Sequence, residues 1–181
     1  MLFSGSHRAF AWSTALLALL GSGAQTLGQQ PEGRVEPMLR RLFPGSSGFS
    51  SVPAPLHHFE AFARLPGREQ PIVSGLAFWT TELDPLERGY DGPIQILVGM
   101  DLKGVLTGVI VAKHREPYGD FSIDRPEFAA QFVGKSIGDA FRVGEDIDAV
   151  SRASISIASA TRAIKNSARR VARQMLPRPS P

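Results

Sequence analysis

Hydrophobic positions fall into two kinds of stretch, and each kind predicts a different element. Near the C-terminus Ile157, Ala160, Ile164, Ala168, Val171 and Met175 recur at three- and four-residue steps, with Arg162, Lys165, Arg169 and Arg173 between them. That spacing puts the apolar side chains on one stripe of a helix of about five turns. Three β-rich runs lie upstream: Val73 to Thr81, Ile94 to Met100 and Val105 to Ala112. Asp101-Leu102-Lys103-Gly104 joins the last two, and a glycine able to take a positive φ predicts a hairpin there. The sheet is therefore expected to be antiparallel at its centre. Two shorter helices are predicted. Pro37 to Phe43 is amphipathic and stopped by Pro44-Gly45, and Pro126 to Phe132 has proline at its first position and ends by Gly134. Ser46 to Pro55, rich in Gly, Ser and Pro, reads as loop, and His58 to Ala63 alternates too poorly to assign. The architecture that fits is α+β, a small antiparallel-centred sheet packed against terminal helices.

The chain of 181 residues opens on His7 and Arg8, an apolar run from Ala15 to Leu20, and the small residues Gly21-Ser22-Gly23-Ala24. This is the layout of a secretory signal cut near Ala24. The expected division is a signal peptide over 1–24, a connector with short helices over 25–69, the main domain over 70–176 and a disordered tail over 177–181. A periplasmic protein with no transmembrane helix in its mature form is the expected product. There is no cysteine, which excludes disulfides, thiolate metal sites, iron–sulfur clusters and a cysteine nucleophile. Four histidines, one of them in the leader, leave little for a metal site. Redox chemistry would need an organic cofactor.

Charge is laid out unevenly. From residue 149 onward there are seven cations and no acid, whereas between residues 25 and 148 twelve cations face seventeen acids. The basic helix reads as a solvated face, or as a docking face toward an acidic partner or an anionic membrane surface. Nucleic acid is not an expected partner, because basic and aromatic residues are not interleaved.

Candidate chemistry lies between the sheet and the last helix, in Asp148-Ala149-Val150-Ser151-Arg152-Ala153-Ser154-Ile155-Ser156. By itself this is a hydroxyl-rich helix start, where a serine can cap free amides. Its neighbours add to it: Gly89-Tyr90-Asp91-Gly92-Pro93-Ile94, then the hairpin, then His114-x-Glu116-Pro117-x-Gly119, then Asp148-x-x-Ser151-x-Ala153-Ser154. In that order the series resembles the FMN-binding domain family over roughly residues 70 to 173. The likeness runs toward the periplasmic flavin domain of NosR-type flavoproteins of nitrous oxide respiration. More distantly it runs toward the flavinylated subunits of the Rnf and sodium-translocating NADH:quinone reductase complexes.

The resemblance implies FMN, joined in exported members by a phosphoester bond to a hydroxyl in the pattern Asp-x-x-Ser/Thr-Gly-Ala-Thr, which a dedicated flavin transferase installs. Carried onto this chain, the acceptor is Ser154, with Ser156 as fallback. Asp148 serves transferase recognition, and Ser151, Arg152 and Ala153 complete the attachment segment. Tyr90 and Gly92, with His114, Glu116 and Gly119, are expected to approach the flavin. Two positions depart from the pattern, since its glycine is Arg152 and its threonine is Ser154. Serine keeps the hydroxyl that can attack phosphorus. Arg152 can obstruct a close approach or pair with the phosphate, and binding without a covalent bond stays open.

The implied function is an exported electron-transfer module that works with a flavin transferase and a redox partner protein or membrane electron-transfer complex. It is an electron carrier or accessory subunit rather than a freestanding enzyme. A flavin-free interaction or assembly protein of the same fold is the alternative. A freestanding hydrolase finds little support, because there is no Gly-x-Ser-x-Gly elbow and His114 with scattered serines forms no triad pattern.

Overall fold

The computed structural model describes residues 33–176, so the expected signal peptide over 1–24, the first residues of the expected connector and the expected tail over 177–181 lie outside the described residues. Helix α1 (Glu36–Leu42) is followed by three strands, β1 (Gly48–Val52), β2 (His58–Ala63) and β3 (Ile72–Trp79). A single turn, α2 (Thr80–Leu83), precedes β4 (Gln95–Asp101) and β5 (Leu106–Lys113). A 3₁₀ turn (Gly119–Phe121), α3 (Pro126–Ala130) and the long α4 (Ser154–Met175) complete the domain. The strands form one five-stranded antiparallel sheet in sequence order. It is a meander, and its α+β plan with an antiparallel sheet is the class the β-rich runs and helices predicted.

Strand periodicity sorts the core onto two faces. Leu76 and Phe78 of β3, with Ile96, Val98 and Met100 of β4, face a cluster completed by Phe128, Phe132, Phe141 and the α4 stripe Ile157, Ala160, Ile164, Ala168 and Val171. Ala77, Trp79 and Leu97 face the other way, onto Leu39 and Leu42 of α1, Phe43 just after it, and Phe49 and Phe59 of β1 and β2. The two central strands are buried on both faces, which explains their near-continuous apolar composition. The hairpin turns at Gly104, whose φ is +81°.

Two expectations need correction. Ser46 to Pro55 is not simply a loop, and residues 25–69 are not simply a connector, because this stretch supplies β1 and β2 of the same sheet. Ser, Gly and Pro mask an edge strand whose stability comes from backbone pairing to β2 and from burial of Phe49. Thr80 and Thr81, expected at the end of β3, begin α2 instead. Thr80 is buried there, its hydroxyl donating to the Ile94 carbonyl and accepting the Ile96 amide, which ties the turn to β4.

Candidate functional site

The site forms where three segments meet at the start of α4: the turn at 89–92, the loop after β5, and residues 151–156. Glu116 joins them. Its carboxylate accepts the Tyr90 amide at 2.9 Å and the Asp91 amide at 3.0 Å, and it also accepts the Ser156 hydroxyl. The residue is 7% exposed. Burial opposes its ionisation, and the Ser156 hydroxyl, the Asp91 and Tyr90 amides and the nearby His114 ring outweigh that, holding the carboxyl below its ordinary value. Gly89 makes room for it, because a Cβ there would lie 2.4 Å from Glu116 Oε1 and 2.6 Å from the carboxyl carbon.

His114 braces the same loop. The Glu116 amide donates to its Nδ1 at 3.0 Å, and its Nε2 lies 2.8 Å from Asp124 Oδ1. An Nδ1 that accepts leaves the ring proton on Nε2, aimed at the carboxylate. Gly119 is the close-approach position beneath this ring, since a Cβ there would stand 2.3 Å from His114 Cε1. His114 and Gly119 thus shape the loop from behind, and Gly92, with φ +111°, closes the facing turn.

Helix α4 begins without a cap. Its N-cap position is Ala153, no side chain bonds its free amides, and its first turn holds no acidic residue. The serine-cap reading of this segment is therefore overturned. Alanine is among the poorest N-caps, and the amides of Ser154, Ile155 and Ser156 at the positive end of a 22-residue helix are left for an outside acceptor. Arg152, just before them, has φ +70°. This is the left-handed region that favours glycine, so Arg152 holds a backbone conformation that the pattern's glycine would take without strain.

A cleft of about 220 Å³ opens over this helix start, lined by Tyr90, Pro117, Tyr118, Arg152, Ala153, Ser154, Ile155 and Ser156. Tyr90 is 70% and Ile155 56% exposed. Five of the expected site residues line it: Tyr90, Arg152, Ala153, Ser154 and Ser156. Gly92, His114, Glu116 and Gly119 support its walls without lining it, and Ser151 is exposed beside it. Asp148 lines an adjacent, larger cleft with Phe128, Gln131, Val150 and Ile157, its amide held by the Gln131 side chain at 2.6 Å. Ser154 presents an exposed hydroxyl, whereas Ser156 is buried and its hydroxyl is committed to Glu116. Sequence reasoning passed over Pro117, Tyr118 and Ile155, although each sat inside or beside a quoted motif. Asp124 carried no signal, because only folding sets it against His114.

The basic face of α4 is largely engaged within the chain. Arg169 donates to the Ile137 and Asp139 carbonyls, Arg170 to Leu83 and Lys165 to Ala140. Arg162 pairs with Glu87 at 2.7 Å. That guanidinium chiefly holds the Glu87 carboxyl below its ordinary value, against the opposing effect of burial. These cations pin loops to the helix, and the solvated-face and docking-face readings both have to allow for that.

An uncapped helix end, an exposed hydroxyl on its first residue and two tyrosines beside it suit the phosphate and ring of a flavin mononucleotide. Comparison with known proteins agrees. A subunit of the ion-translocating oxidoreductase complex of Shewanella baltica (strain OS223) is 32% identical over 88 residues, covering 43% of this chain and 42% of that protein. The chain thus spans less than half the length of that relative. Residues 89–169, from the glycine under Glu116 to the arginine that holds Ile137, match the FMN-binding domain family, and this likeness supports FMN as the cofactor.

Proposed function

We propose that the protein is an exported electron-transfer module whose FMN is joined through its phosphate to Ser154, and that it serves a periplasmic or membrane respiratory system of the NosR kind. The observation that carries this reading is the uncapped start of α4 with the exposed Ser154 at its first position. Bound FMN supplies one- and two-electron redox chemistry. The chain's own residues bind and orient. The amides of residues 154–156 and the Arg152 guanidinium face an anion, Tyr90 and Tyr118 offer ring faces, and Glu116 holds the tyrosine turn against the helix start.

The small cleft favours a covalent link. Sites that enclose a drug-sized ligand measure about 300–1,000 Å³, so about 220 Å³ covers only part of FMN, and a tether retains what shallow contacts would release. Ser154 is the acceptor in this reading and Asp148 the residue the transferase recognises. Ser156 acts as a brace, since its hydroxyl is buried.

The likeness to a subunit of an ion-translocating oxidoreductase complex supports a membrane electron-transfer complex, or a protein docked to one, as partner. Arg152 favours one other reading, a flavin-free assembly protein, because its side chain stands where the family pattern leaves only hydrogen.

The test is the intact mass and visible absorbance of protein exported by a host that also makes a flavin transferase. A gain of one FMN less one water, with yellow colour that survives denaturation and disappears in Ser154→Ala, is the expected result. A colourless, unmodified protein that stays colourless with added FMN would overturn it in favour of the assembly reading.

A further inference from the structure

Outside the FMN-binding region the fold assembles a second constellation from residues distant in sequence. Ser51 lies on β1, His57 directly precedes β2 and Glu82 lies on α2. Ser51 Oγ is 3.1 Å from His57 Nε2, and His57 Nδ1 is 2.7 Å from Glu82 Oε2. A carboxylate only accepts, so the proton between His57 and Glu82 sits on Nδ1, and when the ring is neutral its Nε2 accepts from the Ser51 hydroxyl. The ring is also held edge-on against Phe59, with centroids 5.2 Å apart. Hydroxyl, base and orienting carboxylate therefore stand in the order that nucleophilic catalysis requires.

We infer that Ser51, His57 and Glu82 form a flavin-independent reactive centre that takes the acyl group of small carboxylic esters with good leaving groups. Ser51 Oγ attacks the ester carbonyl carbon while its proton passes to His57 Nε2. The bond to the leaving oxygen breaks, and that oxygen receives the proton from His57. Water, deprotonated by the same nitrogen, then cleaves the serine ester and restores the hydroxyl, so no oxidant or other co-reactant is needed. Glu82 is a positioning residue, fixing the tautomer and orientation of the ring. The His57 and Glu82 side chains are both more than a third exposed and Ser51 is half-buried, so the array opens to solvent. The same solvation weakens the electrostatic help the site can give, which restricts it to aryl-type esters rather than amides.

The test treats the full chain, made without a flavin transferase, with a fluorophosphonate. Ser51 Oγ then forms a bond to phosphorus and fluoride leaves. One equivalent of label on Ser51, found by peptide mass spectrometry, is expected, with none in Ser51→Ala. The labelling rate should fall at least tenfold in His57→Gln and less in Glu82→Gln. Wild-type labelling should depend on pH, a dependence that His57→Gln removes. Absence of label, label spread over other serines, or a rate unchanged in both His57→Gln and Glu82→Gln would overturn the inference. Should His57→Gln fail to fold, Glu82→Gln and the pH profile decide. Because FMN is absent throughout, the result is separate from the fate of Ser154.

Discussion

Ser156 donates its hydroxyl to Glu116 across forty residues of sequence, and this one bond joins the start of α4 to the loop after β5. The same carboxylate holds the turn that carries Tyr90, so one buried group sets the spacing of the cleft. Glu116→Gln turns one acceptor oxygen into a donor that faces other donors, and should cost about 1–3 kcal/mol. Ser156→Ala leaves both amide bonds in place and should cost less. Denaturant unfolding of the two variants checks the order.

Acid should undo the same clamp. Glu116, Glu87 and Asp146 all have carboxyl pKa values below their ordinary 4.5 or 3.8. For Asp146, burial works against the shift, and the Arg142 and Phe141 amides and the Lys135 ammonium overcome it. A group with a depressed folded pKa contributes its stability above the unfolded value and loses it as pH falls through the folded one. Thermal stability should therefore hold from neutrality down to about pH 4.5 and fall steeply below. Glu116→Gln should show a shallower fall, measured as Tm against pH.

Close approach makes two glycines sensitive. Gly89→Ala drives a methyl into the Glu116 carboxylate, and Gly119→Ala drives one into the His114 ring. Each should destabilise by about 1–3 kcal/mol. Gly119→Ala should also change the His114 ring signals in NMR, whereas Gly45→Ala, with open space around the position, should do neither.

Arg152→Gly separates backbone strain from flavin loading. A left-handed residue with a Cβ costs about 1–2 kcal/mol, and glycine returns about 0.4–1 kcal/mol of that through the entropy of the unfolded chain. Stability should therefore rise by no more than about 1.6 kcal/mol. If Ser154 is the acceptor, intact-mass measurements should show loading by a flavin transferase as fast as in wild type or faster.

Arg169→Gln tests what the basic face does. The guanidinium satisfies the Ile137 and Asp139 carbonyls, so its loss should cost about 1–2 kcal/mol and raise hydrogen exchange around residues 137–140. Arg173→Gln, an exposed position, should leave both unchanged.

Much of this protein was legible in its sequence because the signals are local. The α4 stripe and the β4–β5 hairpin depend on side chains a few residues apart and led to an α+β fold, while the order of the glycine, histidine and serine motifs carried the resemblance to the FMN-binding family. Strands β1 and β2 were missed because their stability comes from pairing with neighbours and from Phe49 and Phe59 meeting α1, which no short window records. Roles within the site were equally out of reach. Ser154 and Ser156 are two residues apart and chemically alike, yet the helix turns one to solvent and the other to Glu116. The Ser51–His57–Glu82 array was invisible for the same reason, since its members meet only after β1 pairs with β2 and α2 folds beside them. Periodicity and composition determine which elements form. Which polar atoms face each other depends on how those elements pack, because a hydrogen bond requires a few tenths of an ångström of agreement between segments that sequence spacing leaves unrelated.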